Sequence, residues 1–154
     1  MIKKPIVLTM GEPSGIGSEI AIKSWLVRKQ LQLPCFFLLD DYNKISFINK
    51  KFKLNAKLKK ISCPEEAVNY FKDFLPVLDM EINLSFNLGK PNPKNSKYVL
   101  KSINDSFDFF TKKKISGLVT LPVCKKTLKK NGFNFFGQTE YLSNLVTKRR
   151  KKKK

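Results

Sequence analysis

The feature that most limits the possible folds is a short apolar run followed at once by a glycine-rich turn and a helix-like segment. Residues 5–10 form a continuous apolar run, which is typical of a strand buried on both faces of a sheet. Gly11, Gly15 and Gly17 lie in the turn that follows, and residues 18–27 have the spacing of an amphipathic helix. This order is a βα unit, and it predicts a parallel sheet, since a crossover helix is what joins parallel strands.

The same order recurs along the rest of the chain. Further strands are predicted at residues 34–39, 57–61 and 115–121, with an extended segment somewhere between 76 and 88. Further helices are predicted at residues 42–52, 64–74, 93–112 and 124–130, and from about residue 139 onward. Asp40 and Asp41 precede one of these helices and are candidates to cap it. We therefore predict an α/β fold with a mainly parallel sheet and helices on both faces.

Two of these elements carry a specific expectation about burial. Residues 115–121 are mostly apolar and end before a proline, so we expect a strand that is buried on both faces. In helix 93–112 the spacing predicts one buried face, and its side chains are Val99, Leu100, Ile103, Phe107 and Phe110.

Composition favours one folded domain inside the cell. The chain has 154 residues, 42% of them hydrophobic, including 13 phenylalanines. We expect no membrane partner and a cytoplasmic location, because no apolar run approaches the roughly 20 residues of a membrane helix and no signal peptide is evident. The three cysteines form no CxxC pair, which fits a reducing compartment. Cys35 and Cys124 lie in or beside apolar runs, so a small buried thiol is favoured over a reactive one.

The net charge of +19 suggests a nucleic-acid partner at first sight, but the distribution argues against one. Residues 148–154 carry seven positive charges and no negative ones, and the other lysines are scattered among Asn, Ile and Phe. No aromatic-plus-basic stacking motif accompanies the charge, so we expect no nucleic acid. The chain also has no histidine, which removes the commonest general base and transition-metal ligand.

The turn after the first strand is the first candidate site. Its residues Gly11, Glu12, Gly15 and Gly17 lie where the backbone turns tightly into a helix, and free helix amides favour anions. The spacing is neither a dinucleotide fingerprint nor a Walker loop. A plain structural turn explains the glycines as well as an anion or substrate contact does. Glu12 is either a ligand contact or a capping or surface carboxylate.

Two further motifs follow later strands. Lys125 comes just after the strand at 115–121, where an ammonium group reaches an anionic substrate group or is simply solvated. Gln138 and Thr139 follow Gly137 at the start of the last helix, where they either hydrogen-bond a phosphate or carboxylate or serve as an ordinary cap.

Taken together and in order, these motifs resemble the 4-hydroxythreonine-4-phosphate dehydrogenase family of pyridoxal phosphate biosynthesis. Residues 9–19, Thr-Met-Gly-Glu-Pro-Ser-Gly-Ile-Gly-Ser-Glu, match the turn with which its members begin. Residues 89–91 with 95–100 are similar to its central loop and helix, and residues 118–125 to its Val-Thr-x-Pro-x-x-Lys strand end. Residues 137–142 resemble its Gly-His-Thr-Glu segment, with Gln138 in place of the histidine.

The resemblance implies a two-domain subunit of the isocitrate/isopropylmalate dehydrogenase type that acts as a homodimer. It implies oxidation and decarboxylation of 4-phosphooxy-L-threonine, a small phosphorylated hydroxy amino acid, with NAD and a divalent metal (Zn, Mg or Co). Gln138, Thr139 and Lys125 would then contact the substrate.

The family's metal-binding histidines and its NAD-binding region match nothing in this chain. We therefore expect residues 1–147 to be an incomplete N-terminal portion that is inactive by itself. Residues 148–154 are expected to be a basic tail, disordered or out of frame. The alternative is a small basic α/β module that binds anions without redox activity.

Overall fold

The computed structural model describes residues 4–152 and contains a five-stranded sheet with helices on both sides. The strands are β1 (Ile6–Thr9), β2 (Phe36–Asp40), β3 (Leu58–Ile61), β4 (Leu75–Asp79) and β5 (Gly117–Val119). The α-helices are α1 (Gly17–Leu26), α2 (Tyr42–Lys51), α3 (Ala67–Tyr70), α4 (Ser96–Thr111), α5 (Lys125–Lys130) and α6 (Gln138–Lys152). Single 3₁₀ turns, Pro64–Glu66 and Pro93–Asn95, lead into α3 and α4.

All four strand pairings are parallel, and the strand order is β3-β4-β2-β1-β5. The predicted α/β class with a mainly parallel sheet is therefore confirmed. No helix within residues 4–152 has the length and apolar character needed to cross a membrane.

The core has one layer on each face of the sheet. On one face α1 and α2 pack against alternate strand residues, and their buried side chains include Ile22, Trp25 and Ile45. On the other face α3 and part of α4 cover Phe37 and Leu39 of β2. Successive strand residues point to opposite faces, so the apolar residues 6–8 of β1 and 36–39 of β2 supply both layers.

One side chain fastens α4 to the carboxyl ends of the central strands. The Ser102 hydroxyl donates to the Leu39 carbonyl at 3.0 Å and accepts from the Met10 amide at 2.8 Å. Ser102 and Met10 are fully buried, so this polar bridge satisfies backbone groups that water does not reach.

Several expectations about individual elements were wrong. The helix predicted at 64–74 ends at Tyr70. The extended segment predicted between 76 and 88 is present as the strand β4, Leu75–Asp79. The strand predicted at 115–121 is only three residues long and partly exposed, because within the described residues it pairs with β1 alone and so forms an edge.

The burial expected in α4 also needs correction. Val99 and Ile103 are buried, but Phe110 is 48% exposed. Adjacent helix residues point about 100° apart, and the neighbouring Phe109 takes the position that packs against the sheet. Residues 148–152 of the predicted basic tail continue α6, and residues 153–154 lie outside the described residues.

Candidate functional site

The glycine-rich turn after β1 packs directly on the backbone that follows β5. A Cβ atom at Gly11 would lie 2.5 Å from the Pro122 carbonyl oxygen, and one at Gly17 would lie 3.3 Å from the Leu121 Cβ. The Glu12 amide donates to the same Pro122 carbonyl at 2.8 Å. Glycine is therefore required at position 11 by close backbone approach. The turn and the Leu121–Pro122 segment form one unit at the carboxyl end of the sheet.

Glu12 ties this turn to α5. It is 8% exposed, and its carboxylate accepts from the Ser14 amide at 3.2 Å. The carboxylate also lies 3.3 Å from the Thr127 hydroxyl, which donates to the Cys124 carbonyl at 2.8 Å. The Gly15 amide donates to the Glu12 carbonyl at 2.9 Å. The sequence left open a ligand contact, a cap or a surface carboxylate for Glu12. The capping role fits these contacts, because the carboxylate accepts a hydrogen bond from the Ser14 amide of its own turn.

Lys125 is the first residue of α5 and its side chain is exposed. The Glu12–Thr127 contact holds α5 against the turn, so Lys125 begins its helix beside the carboxyl ends of β1 and β5. An exposed ammonium group at this edge of a parallel sheet is free to meet an anionic ligand, and such sheets bind ligands at their carboxyl edge.

Gln138 completes the cluster from a third part of the chain. Its Nε2 donates to the Leu121 carbonyl at 3.2 Å, which places the start of α6 on the same segment that Gly11 contacts. Thr139 is exposed and lies within the first turn of α6, so it is not the cap that the sequence allowed. The Phe136 amide instead donates to the Glu140 carboxylate at 2.6 Å.

The three motifs predicted separately from the sequence therefore meet around Leu121 and Pro122. The aromatic side chains of Phe133, Phe135 and Tyr141 pack against one another beside them, with ring centroids 5.1–5.4 Å apart. This packing fixes the segment between α5 and α6, so the relative position of Lys125 and Gln138 is set by the core and not by a free loop.

Sequence reasoning missed two buried hydroxyls in this region. Thr9 at the end of β1 and Ser14 in the turn are 0% and 3% exposed. Within residues 4–152 neither hydroxyl oxygen has a hydrogen-bond partner. Both belong to the motif at residues 9–19, but nothing in a sequence tells whether a hydroxyl is satisfied.

A buried ion pair beyond the turn was also missed. Asp41 caps α2 by accepting from the Lys44 amide at 2.6 Å, as the sequence suggested. Asp40 instead pairs with the Lys44 ammonium group at 2.8 Å, and both side chains are 1% exposed. Burial raises the pKa of Asp40, although the Lys44 charge opposes the shift. The sequence signal for this pair was the spacing of four residues between Asp40 and Lys44, which is hard to recognise in a chain with so many lysines.

Comparison with known proteins identifies the family. The family model described as "Pyridoxal phosphate biosynthetic protein PdxA" matches residues 36–152. The chain belongs to the PdxA family. It is 32% identical over 146 residues to the 4-hydroxythreonine-4-phosphate dehydrogenase of Caulobacter vibrioides, a match covering 95% of this chain and 42% of the relative. The protein of the same name in Zymomonas mobilis is 34% identical over 141 residues, covering 92% and 41%.

Solved structures agree with this PdxA fold. The 4-hydroxythreonine-4-phosphate dehydrogenase of Burkholderia phymatum superposes with a TM-score of 0.83 at 20% identity, covering 96% of this chain and 44% of that one. The enzyme of that name from Klebsiella pneumoniae gives 0.78 at 24% identity, covering 94% and 45%. The family resemblance drawn from the four motifs is confirmed, and this chain spans less than half the length of the relatives it matches.

A divalent metal in this PdxA chain would need a cluster of ligand side chains. Among residues 4–152, no three His, Cys, Asp or Glu side chains lie together as a metal would need. The three cysteines are partly buried and unpaired by disulfides, and burial raises the pKa of Cys35 to about 11. These described residues do not by themselves fit the metal that the resemblance implies.

Proposed function

We propose that this chain contributes part of the substrate-binding site of a 4-hydroxythreonine-4-phosphate dehydrogenase. In the reaction proposed for the whole protein, the 3-hydroxyl of 4-phosphooxy-L-threonine would be oxidised; bound NAD would supply the hydride acceptor, and a base would take the hydroxyl proton. The β-keto acid then loses carbon dioxide to give 3-amino-2-oxopropyl phosphate. The observation that carries the proposal is the meeting of the family's motifs around Leu121 and Pro122.

The role of this chain is to bind and orient the substrate. The exposed Lys125 ammonium group supplies a point charge for the phosphate or carboxylate, and the exposed Thr139 hydroxyl supplies a hydrogen bond. The Gln138 side-chain amide donates a hydrogen bond to the Leu121 carbonyl. The Gln138 side-chain oxygen therefore remains available to accept a hydrogen bond from a substrate hydroxyl or ammonium group. Gln138 exchanges no proton near neutral pH, so we assign it to orientation only. In the turn that contains Gly11, Glu12, Gly15 and Gly17, the Glu12 carboxylate contacts Thr127 of α5, while Gly11 and Gly17 pack against Leu121 and Pro122.

Oxidation needs partners that the described residues do not supply. We propose that the NAD and metal sites are formed by the portion that the longer relatives have and this chain lacks. The 154-residue chain should therefore bind the phosphorylated substrate without turning it over. Homodimeric assembly and a cytoplasmic location belong to the same proposal.

A binding module without redox activity is the second candidate. The net charge of +19 and the exposed Lys125 favour binding of small anions in general. The two candidates differ in selectivity, since a remnant of the dehydrogenase site should prefer 4-phosphooxy-L-threonine to inorganic phosphate, whereas a general anion module should not.

The test is calorimetric titration of the 154-residue chain with both compounds, together with an assay of NADH formation in the presence of Zn²⁺ or Mg²⁺. We expect preferential binding of 4-phosphooxy-L-threonine, weakened by Lys125→Gln and by Thr139→Val. Lys126→Gln is the matched control, because Lys126 is exposed on the same helix. Equal binding of phosphate would support the module instead. NADH formation by this chain alone would refute the proposal that the NAD and metal sites lie outside these 154 residues.

A further inference from the structure

Tyr141 joins the start of α6 to the middle of α4. Its hydroxyl donates to the Asn104 Oδ1 atom at 2.8 Å, and its backbone amide donates to the Gly137 carbonyl at 3.2 Å. The other polar contacts described between the two helices belong to Arg149, near the far end of α6. Tyr141 therefore holds the end of α6 that carries Thr139, one of the proposed substrate contacts.

The helix α4 is a well-anchored support for this hydrogen bond. Ile103, next to Asn104, is fully buried. Ser102 accepts from the Met10 amide and donates to the Leu39 carbonyl. Since Met10 and Leu39 lie at the carboxyl ends of β1 and β2, Asn104 has a defined position relative to these strand ends. The hydrogen bond to Asn104 therefore places the start of α6 against the same edge of the sheet that carries the glycine-rich turn.

The Tyr141 hydroxyl adds a constraint that packing of its ring does not supply. The ring centroid lies 5.4 Å from that of Phe133 and 5.1 Å from that of Phe135. Apolar packing holds the helix close but is non-directional, whereas a hydrogen bond needs its donor and acceptor aligned. The bond to Asn104 thus fixes the rotation of α6 about its axis. Residues two apart on a helix point about 200° apart, so this rotation sets where Thr139 points.

We propose that Tyr141 is a positioning residue that orients Thr139 toward the substrate. This inference rests on the proposed substrate-binding function, because it names the residue through which α4 orients one of the proposed contacts. Tyr141 donates its hydroxyl hydrogen to Asn104 and acts through Thr139, without touching the substrate itself. Loss of the Tyr141 hydroxyl should therefore weaken only those ligands that Thr139 contacts.

The experiment is calorimetric titration of the 154-residue chain and its Tyr141→Phe variant, which loses the hydroxyl and keeps the ring. Tyr141→Phe should weaken binding of 4-phosphooxy-L-threonine about threefold to tenfold, the scale of one net hydrogen bond. Binding of inorganic phosphate should not change, because the exposed Lys125 is unaffected. The matched control is Tyr70→Phe, since Tyr70 lies in α3 and its ring packs on Phe74.

Two comparisons separate positioning from a general loss of structure. In a double-mutant cycle, Tyr141→Phe should cause no further loss of affinity once Thr139→Val is present, because the residue through which it acts is gone. Asn104→Asp keeps an oxygen acceptor and should bind 4-phosphooxy-L-threonine as the unaltered chain does. Asn104→Leu removes the acceptor and should behave like Tyr141→Phe. Circular dichroism checks that each variant is folded, and Asn104→Leu replaces Tyr141→Phe if that variant is not.

Amide hydrogen exchange without ligand tests the role of the hydroxyl independently of substrate binding. Residues 141–145 should exchange faster in Tyr141→Phe than in the unaltered chain or in Tyr70→Phe. Unchanged exchange, equal weakening of both ligands, or additive losses in the cycle would overturn the inference. If the unaltered chain binds no 4-phosphooxy-L-threonine, the proposed function fails, and the exchange comparison alone decides whether Tyr141 orders the start of α6.

Discussion

The buried ion pair between Asp40 and Lys44 gives a sharp prediction about stability. The Lys44 ammonium group lies 2.8 Å from the Asp40 carboxylate, and both side chains are 1% exposed. The second carboxylate oxygen accepts from the Asp41 amide at 2.7 Å. Lys44→Met keeps most of the side-chain volume but leaves a buried carboxylate with a single hydrogen bond.

The expected loss of folding stability in Lys44→Met is large. Removing one partner of a buried pair costs about 3–5 kcal/mol, a substantial part of the roughly 5–15 kcal/mol by which a domain is stable. Adding Asp40→Asn removes the stranded charge and keeps an acceptor for the Asp41 amide. The double variant should therefore recover part of the loss, because no unpaired charge is then left buried.

The loss should also depend on pH. Burial already raises the pKa of Asp40, and Lys44→Met removes the charge that opposes the shift. A carboxyl whose pKa is higher in the folded than in the unfolded state contributes stability below its unfolded pKa of about 3.9 and loses it as pH rises through the folded pKa. The deficit of Lys44→Met should thus be largest near pH 7 and shrink on acidification.

Urea unfolding followed by circular dichroism at pH 7 and pH 4 measures these effects. The matched control is Lys23→Met, because Lys23 forms the same i,i+4 contact with Glu19 but is 58% exposed, and exposed pairs contribute at most about 1 kcal/mol. Two results would contradict this prediction. One is a loss of unfolding free energy in Lys44→Met no larger than that in Lys23→Met, and the other is a loss in Lys44→Met that grows as the pH falls.

Three further predictions concern other parts of the fold. Gly11→Ala should lower the free energy of unfolding by about 1–3 kcal/mol, because the new Cβ would clash with the Pro122 carbonyl. Gly117→Ala should not lower it, because there is open space around Gly117. Urea titration measures the free energy of unfolding of both variants. Desolvation of Asp79 is outweighed by hydrogen bonds from the Lys60 ammonium group and two backbone amides, so the pKa of Asp79 is lowered. Asp79→Asn should therefore be less stable than the unaltered chain at pH 7 but not at pH 2. Burial raises the pKa of Cys35 to about 11, so iodoacetamide at pH 8 should alkylate it more slowly in the folded than in the unfolded chain, as mass spectrometry would show.

Most of the fold could be predicted because the chain alternates buried strand runs with amphipathic helices. β1 and β2 are continuous apolar segments, and each lies within two residues of its predicted bounds. The helix predicted at 64–74 ends early because the chain turns after Tyr70 and enters the strand β4 at Leu75, one residue before the predicted extended segment begins. Pro76 lies inside this strand, although proline argues against a central strand. Pro76 is tolerated because the β2–β4 ladder starts one residue later, at Val77.

The candidate site could be predicted only in pieces. The motifs around Glu12, Lys125 and Gln138 were recognisable, since glycine turns and strand ends mark such places. Their meeting depends on backbone contacts at Leu121 and Pro122, which no local pattern encodes. The burial of Lys44 was invisible for a related reason, because in a lysine-rich chain a buried ammonium group looks like any surface charge.

The proposed single binding site is tested most directly by following backbone amide chemical shifts while the 154-residue chain is titrated with 4-phosphooxy-L-threonine. Residues 11–17, 121–127 and 137–140 should shift together along one binding curve, because the three segments form one site. Shifts confined to the basic residues 148–151, or separate curves for the three segments, would contradict it.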